Sequence, residues 1–587
     1  MRWQEPAILS LVSEAAVTKF APGVGRRPKK RYRSVLLGGL ILAALWFNLC
    51  KQLSGEWLVN EQYNYGWFVP FISLYLFWLR WEDRPAPCPP SKTFFPWIFI
   101  GVPALFLLLP IRLFEIGTPE WRPLSWIHTA SVAALTLLYI WSAGGKPWLR
   151  HFTFPIAFFF VAVPWVTPIE VPVIQGLMRV VAAVAAEMVT LFGIPTQLEG
   201  NLIRVSNGLV GVNEACSGVR SLQTSLMIGL LFGELKRLSI WRRFVLVAGA
   251  IVIALTTNFC RAVFLVWIAA TKNISEVNRW HTVAGYTIVS LVFVGTVILA
   301  MLLGRGKAEV KDQRAADTFQ RSSTPQSSSS FILPTSYFVF AFFWIVAVEL
   351  GAHFWYRAHE SNLVATTRWD VQWPRAAPNF RELKIDEEVR RQLRFDQGHA
   401  VSWTSPAESS PATSNPSSSK TVTCLLYLFR WNPGRNSALL ANLHRPDVCL
   451  PAIGWNQVAD TGVRNYPVTG SFALPFRHFE FHHGTPENSA PQIAHAFYCL
   501  WEDRAPSPSA AGSKLPQMAT AHSTWTRDER IRQVLEGRRH LGQQVMEVVF
   551  VSNEQIPAAD AESRFGELVR DVVLANPGQS NPRRNDQ

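Results

Sequence analysis

Nine residues carry the chemistry most open to reading in this chain: Asn213-Glu214-Ala215-Cys216-Ser217-Gly218-Val219-Arg220-Ser221. They form a polar patch between long apolar runs. Ionisable and amide side chains in such a setting cost free energy unless they are paired, hydrated or put to use. Two further polar interruptions follow. Arg261 stands inside the apolar stretch of Asn258-Phe259-Cys260-Arg261, and His281 opens another in Asn278-Arg279-Trp280-His281. Cysteine, arginine and histidine supply a thiol nucleophile, a cation for a developing oxyanion, and a general acid and base. Those are the parts of an acyl-transfer site. Gly218 permits a tight turn into a helix beginning near Ser217, and Arg220 stands one turn further along it as a supporting cation. A cation or helix N-terminus beside a thiol favours the reactive thiolate. Each residue alone has a blander reading: a small buried cysteine, a snorkelling arginine, a solvated interfacial histidine. The three together, from separate apolar runs, outweigh those readings.

Positioning these residues falls to membrane helices. The chain has 587 residues, 49% of them hydrophobic, with a net charge of +14, and 24 Trp and 38 Phe gather at the ends of apolar runs. Runs of roughly 16 to 25 apolar residues suit bilayer crossings. Nine are read, at 34–50, 65–80, 94–112, 125–143, 152–167, 217–234, 243–268, 283–303 and 332–351. The basic residues flank these runs, which fits a positive-inside bias better than nucleic-acid binding. Arg26, Arg27, Lys29, Lys30, Arg31 and Arg33 place the segment 1–33 in the cytoplasm. Lys146 and Arg150, then Lys236, Arg237, Arg242 and Arg243, then Arg305, Lys307, Lys311 and Arg314 mark later inward loops. That alternation holds only if 168–196 does not cross, so this stretch is read as an interfacial or re-entrant helix on the outer side. Cys216, Arg261 and His281 then share the outer face. No cleavable signal is recognised at the N-terminus.

A basic, Ser-rich linker at 305–331 separates the eight-span region 34–304 from the ninth span, 332–351. Its composition reads as a flexible tether. Residues 352–587 have the composition of a soluble domain outside the membrane. Thr421–Arg430, Leu474–His482 and Ala494–Trp501 alternate as strands, and Arg527–Val551 and Ala561–Leu574 are expected to be helical. The Ser/Pro/Ala-rich stretches 402–419 and 504–514 are expected to be loops. The expected fold is a polytopic α-helical membrane protein of about nine spans with a C-terminal α+β extracytoplasmic domain. His444-Arg445-Pro446-Asp447-Val448-Cys449 is the densest motif of that domain, and a structural turn is its favoured reading. Cys424 and Cys499 fall in strands, as core residues or as disulfide partners of Cys449. The seven Cys form no zinc pattern, so no metal and no cofactor are expected. His482-His483 is the nearest candidate for a metal pair and reads as solvated.

The cysteine motif, Asn258-Phe259-Cys260-Arg261, and His281 with Gly285 resemble the exosortase/archaeosortase family over roughly 34–304. Tyr65-Gly66-Trp67 resembles an early family segment that often has His before the Gly, and no role is assigned to Tyr65. The C-terminal domain resembles the exosortase-associated domain over about 335–555, through His444–Leu450, Gly454-Trp455, Arg538-Arg539 and Gly542-Gln543-Gln544. The resemblance implies a membrane-embedded cysteine transpeptidase of the bacterial inner membrane, associated with exopolysaccharide export. Its implied partners are proteins with a C-terminal sorting signal: a Pro-Glu-Pro-like motif, one span and a basic tail. It implies Cys216 as nucleophile, Arg261 as electrostatic partner and His281 as acid and base, with Arg220 and Asn258 in support. Two alternatives stay open. One is a thiol protease that releases its substrate to water. The other is a non-catalytic membrane component of polysaccharide assembly or export, whose arginines bind lipid-linked sugar phosphates.

Overall fold

A computed structural model gives the architecture, and it describes residues 29–88, 90, 94–212, 217–272, 274–304, 335–406, 421–469, 472–483, 492–507 and 527–576. The N-terminal half is helical. Its elements are α1 (Lys29–Val59), a 3-10 turn Glu61–Trp67, α2 (Val69–Glu82), and α3 (Phe94–Pro96), which runs through a π-turn, Trp97–Gly101, into α4 (Val102–Gly117). Then come α5 (Arg122–Phe158), α6 (Thr167–Leu191), α7 (Val219–Leu235), α8 (Ile240–Thr271), α9 (Ile274–Gly304) and α10 (Thr335–Glu360). Among the described residues, seven helices are long and apolar enough to cross a membrane. The nine runs read from the sequence become seven: α2 and α7, of 14 and 17 residues, are short, 122–162 forms one helical stretch, and α6, read as non-crossing, qualifies by length and composition. That stretch is broken at Gly145, with φ 71° and ψ −163°. A Cβ there would lie 1.8 Å from the Cys88 carbonyl oxygen, so only glycine fits the reversal. The sequence expectation of two segments, 125–143 and 152–167, survives as the two arms of this break. Apolar side chains such as Phe71, Trp241, Phe244 and Val289 face outward from the helices. Such surfaces need lipid around them.

The basic loops gather on one side. Glu234 pairs with Arg80 and, at 2.7 Å, with Arg243, while Asp83 pairs with Arg237 and with His151 at 3.5 Å. The opposite side carries the C-terminal domain. Helix α6 is a 25-residue helix long enough to cross by length and composition. Both of its ends nevertheless meet groups on the side of the C-terminal domain. Glu170 in its first turn engages Arg122 and accepts a hydrogen bond of 2.6 Å from Tyr63. Beyond its other end, the sheet β1 (Gln197–Glu199), β2 (Leu202–Val205) and β3 (Gly208–Gly211) brings Gly200 against Gly454 of the C-terminal domain.

The C-terminal domain is built on a seven-stranded antiparallel sheet, ordered β6-β7-β8-β13-β11-β10-β9. Its strands are β6 (Arg381–Glu382), β7 (Gln397–Pro406), β8 (Thr421–Trp431), β9 (Asn456–Thr469), β10 (Phe472–His483), β11 (Gln492–Glu502) and β13 (Gln543–Ser552). Small side pairs join β4 (Leu363–Ala365) to β12 (Arg504–Pro506), and β5 (Arg368–Val371) to β14 (Val573–Asn576). One face packs Phe497, Cys499, Trp501 and Phe550 against Phe565 of α15 (Ala558–Val572). The other buries Phe429, Phe479, Phe481 and Tyr498 under α11 (Glu387–Leu393), α12 (Ser437–Ala441) and α13 (Pro446–Ala452).

The three strands expected from alternation are present. The expected helix over Arg527–Val551 is not. It stops as α14 (Arg527–Leu535), Gly537 follows with φ 69°, and Gln543–Ser552 is a central strand. The stretch Val545-Met546-Glu547-Val548-Val549-Phe550 is buried on both faces, and β-branched residues suit that environment. Residues 402–406 and 504–506, expected as loops, are strand. Cys424, Cys449 and Cys499 are all free thiols, which leaves the core reading for Cys424 and Cys499. Residues 1–28 and the linker 305–331 lie outside the described residues.

Candidate active site

Helices α8 and α9 form an antiparallel pair joined around Lys272. Along α8, Ala250, Ala254, Asn258 and Ala262 recur every fourth residue, and all are buried. This small-residue line lets neighbouring helices approach closely. Gly229 of α7 lies against Val247, and Gly295 of α9 against Ile253. Polar Asn258 sits in the same line, and Arg261 follows it by three residues, on the same face.

The Arg261 guanidinium donates from Nη2 to Nε2 of His281 on α9, at 2.9 Å. Guanidinium has no lone pair to offer. The facing His281 nitrogen is therefore the acceptor, and the ring in this arrangement is neutral with its proton on Nδ1. Both residues are half-buried. Gly285, one turn beyond His281, faces the guanidinium: a Cβ there would sit in ordinary contact, 3.9 Å from Nη2. Trp280 and Phe264 pack edge to face, 5.7 Å apart, on the same two helices. Arg261 lies ten residues before the end of α8, about 15 Å below it.

The cysteine motif enters from α7. Asn213, Glu214, Ala215 and Cys216 lie outside the described residues, and the description resumes at Ser217. Ser217 is fully buried, and its hydroxyl accepts from the Val219 backbone N–H at 3.3 Å. Gly218 has φ 84° and precedes the first helical residue, Val219. A Cβ on Gly218 would fall 2.7 Å from the Asn258 amide nitrogen. The turn therefore needs glycine twice, for its left-handed backbone and for its contact with Asn258. So Gly218, two residues after Cys216 in the chain, rests on α8 one helical turn from Arg261. Among the described residues, the structure joins Ser217, Gly218, Asn258, Arg261 and His281 into one locus.

Arg220 turns elsewhere. It is exposed on α7, and its Nη2 donates to Glu61 at 2.9 Å. One turn deeper, Gln223 reaches the Tyr63 hydroxyl at 3.4 Å. Tyr63 belongs to a buried network that sequence reasoning missed. Arg122 bonds Glu56 at 3.1 Å and pairs with Glu170, while Gln62 donates to Glu170 at 3.1 Å. The only signal was the clustering of Glu56, Gln62 and Glu170 at the ends of apolar runs. Tyr65, given no role from the sequence, donates to the Val161 carbonyl at 3.0 Å.

The turn at Gly218, buried Asn258 and the Arg261–His281 pair sit in one stretch of chain, and residues 57–298 match the model of the transmembrane exosortase family (Exosortase_EpsH). This region is an exosortase domain. Exosortases are membrane transpeptidases that process proteins with PEP-CTERM sorting signals. The match ends before α10, and the C-terminal domain has no family assignment. No curated protein and no solved structure matches the chain. The exosortase domain holds every residue of the candidate site. Among the described residues, no group of three or more His, Cys, Asp or Glu side chains is arranged to hold a metal ion. His482 contacts Glu480 at 3.0 Å, and His483 contacts the Gly454 carbonyl at 3.2 Å.

Proposed function

We propose that the chain is a cysteine transpeptidase that cleaves membrane-anchored proteins at a C-terminal sorting signal and transfers them to an acceptor through a Cys216 thioester. The observation that carries this reading is the 2.9 Å Arg261–His281 bond, with the Gly218 turn held on Asn258 beside it. As the Arg261 guanidinium turns from His281 to the scissile carbonyl, the freed Nε2 takes the Cys216 thiol proton and the thiolate attacks that carbonyl. The new C–S bond leaves an oxyanion, which Arg261 stabilises. As the C–N bond breaks, His281 returns the proton to the departing amine. An acceptor amine then attacks the thioester, or water does so in a purely hydrolytic turnover. The position of Arg261 some way below the end of α8 suits a substrate whose own span docks beside α8 and α9. Arg220 supports the site only indirectly, by bracing the first turn of α7 on Glu61. The reading includes an inner-membrane location, a cytoplasmic N-terminus, and a C-terminal domain of the exosortase-associated kind on the outer side.

The test is a processing assay in membranes, with a tagged sorting-signal protein and either the wild-type chain or Cys216→Ala. Loss of the substrate mass shift in the variant supports the reading, and the product mass separates transfer from hydrolysis. Normal processing by Cys216→Ala makes the cysteine structural and favours the polysaccharide-assembly alternative.

A further inference from the structure

A second thiol faces a cavity in the C-terminal domain. Cys449 is half-buried on α13, with Sγ 3.8 Å from Nδ1 of His444. The other ring nitrogen of His444 lies 2.9 Å from Oε2 of Glu547, a buried carboxylate on the central strand β13. Thiol, imidazole and carboxylate therefore stand side by side. The ring is also held edge-on to Phe429, 5.0 Å away at 87°, and to Tyr427 at 5.9 Å. Pro446 opens α13, and Arg445 grips Asp447 at 3.0 Å, so the five-residue spacing of His444 and Cys449 is set by a braced turn. The thiol also lies 4.0 Å from the Leu443 carbonyl.

Both His444 and Cys449 line a cavity of about 620 Å³ between the C-terminal domain and the exosortase domain. Leu383, Ile385, Val389 and Phe429 give it apolar walls. Glu61 and Arg220, paired at 2.9 Å, line it from the exosortase domain. Volume and lining suit an extended apolar peptide.

We propose that Cys449, His444 and Glu547 form a second nucleophilic thiol site, which acts on the carbonyl of an apolar peptide segment lying in this cavity. The thiolate attacks the carbonyl carbon, forming a C–S bond. The C–N bond breaks as His444 gives its proton to the leaving amine. Water, deprotonated by the now neutral His444, then converts the thioester to a carboxylic acid and restores the thiol. Glu547 is a positioning residue: it orients the ring and supports its charge. Burial works against a charged His444, but Glu547 and Cys449 outweigh it and raise its pKa to about 10. An imidazolium beside a thiol is the arrangement that sustains thiolate chemistry. This site stands apart from the Cys216 reading and survives its failure.

The experiment uses the full chain carrying Cys216→Ala in detergent, so that failure of the Cys216 reading cannot affect it. Alkylation by iodoacetamide, and by an apolar dipeptidyl chloromethyl ketone, is followed residue by residue by mass spectrometry. Exposed Cys88 is the internal reference, and unlabelled Cys424 and Cys499, both buried, report an intact sheet. At pH 6, Cys449 should react about tenfold faster than Cys88, and Glu547→Gln should remove that advantage. The peptidyl reagent should favour Cys449 over Cys88 by about tenfold more than iodoacetamide does. If Glu547→Gln exposes Cys424 or Cys499, His444→Asn serves as the comparison. Equal rates and pH profiles for Cys449 and Cys88, or no response to either variant, overturn the site. Equal preference for the two reagents overturns its assignment to peptide.

Discussion

At the scale of the residue, the candidate site depends on side chains that only one amino acid can replace poorly or not at all. Arg261 holds His281 through a planar guanidinium, which an ammonium does not reproduce. Arg261→Lys keeps the charge and loses the fork. Substrate processing should fall by about a hundredfold while the protein still accumulates in the membrane. A rate near wild type would mean that charge alone suffices. Gly218 is constrained by φ 84° and by Asn258, 2.7 Å from where a Cβ would stand. Left-handed backbone costs a non-glycine residue about 1–2 kcal/mol, before that overlap is counted. Gly218→Ala should slow processing at least about tenfold with helix content unchanged by circular dichroism; unaltered turnover would show that the turn does not place the nucleophile.

At the scale of the element, two devices place the site. The first is the small-residue line Ala250, Ala254, Asn258 and Ala262, which brings α7 and α9 onto α8. The second is the break at Gly145, which turns the arm after it back across the bundle. Sequence patterning located both arms of the break, since Lys146 and Arg150 interrupt the apolar run there. It did not show that a glycine under the Cys88 carbonyl makes the turn. Gly145→Ala puts a methyl 1.8 Å from that oxygen at φ 71°. Strain of this kind costs about 1–3 kcal/mol and the overlap adds more. The thermal half-life of the solubilised chain should shorten several-fold, and an unchanged half-life would show that the turn relaxes freely. Alternation likewise found β8, β10 and β11. It misread β13 because a strand buried on both faces has no alternation to display.

At the scale of the whole molecule, the C-terminal domain is docked on the exosortase domain by named contacts. Gln533 donates to the Gly117 carbonyl at 2.8 Å, and Arg394 to the Leu58 carbonyl at 2.9 Å. The domain's stability should depend on pH through two histidines of opposite sense. His478, fully buried beside His495 at 3.0 Å, has its pKa lowered to about 4, by burial first and by His495 next. The unfolded chain binds that proton near pH 6.5, so stability falls as pH drops from about 6.5 to 4. His444, raised to about 10, retains its proton when folded, so its contribution is complete below about 6.5 and is lost as pH rises to 10. Thermal unfolding of the full chain should therefore be most resistant near pH 6–7. Glu547→Gln should flatten the alkaline limb, and a profile that rises steadily toward pH 9 would contradict the pairing of His444 with Glu547.

What the sequence by itself determined was the class of molecule and a short list of candidate site residues. Apolar run length and flanking charge reveal membrane helices because the bilayer imposes one length and one charge bias on every crossing. Cys216, Arg261 and His281 stood out because each is costly in its apolar setting. Tertiary structure decided which of these groups meet. The Arg261–His281 bond depends on the register of α8 against α9, fixed by alanine and glycine contacts that no local pattern encodes. The alignment of Cys449, His444 and Glu547 depends on a strand about a hundred residues away in sequence, and the cavity beside it on how two domains dock. Local propensity is blind to such separations, because the free energy that selects them arises only when the surfaces pack.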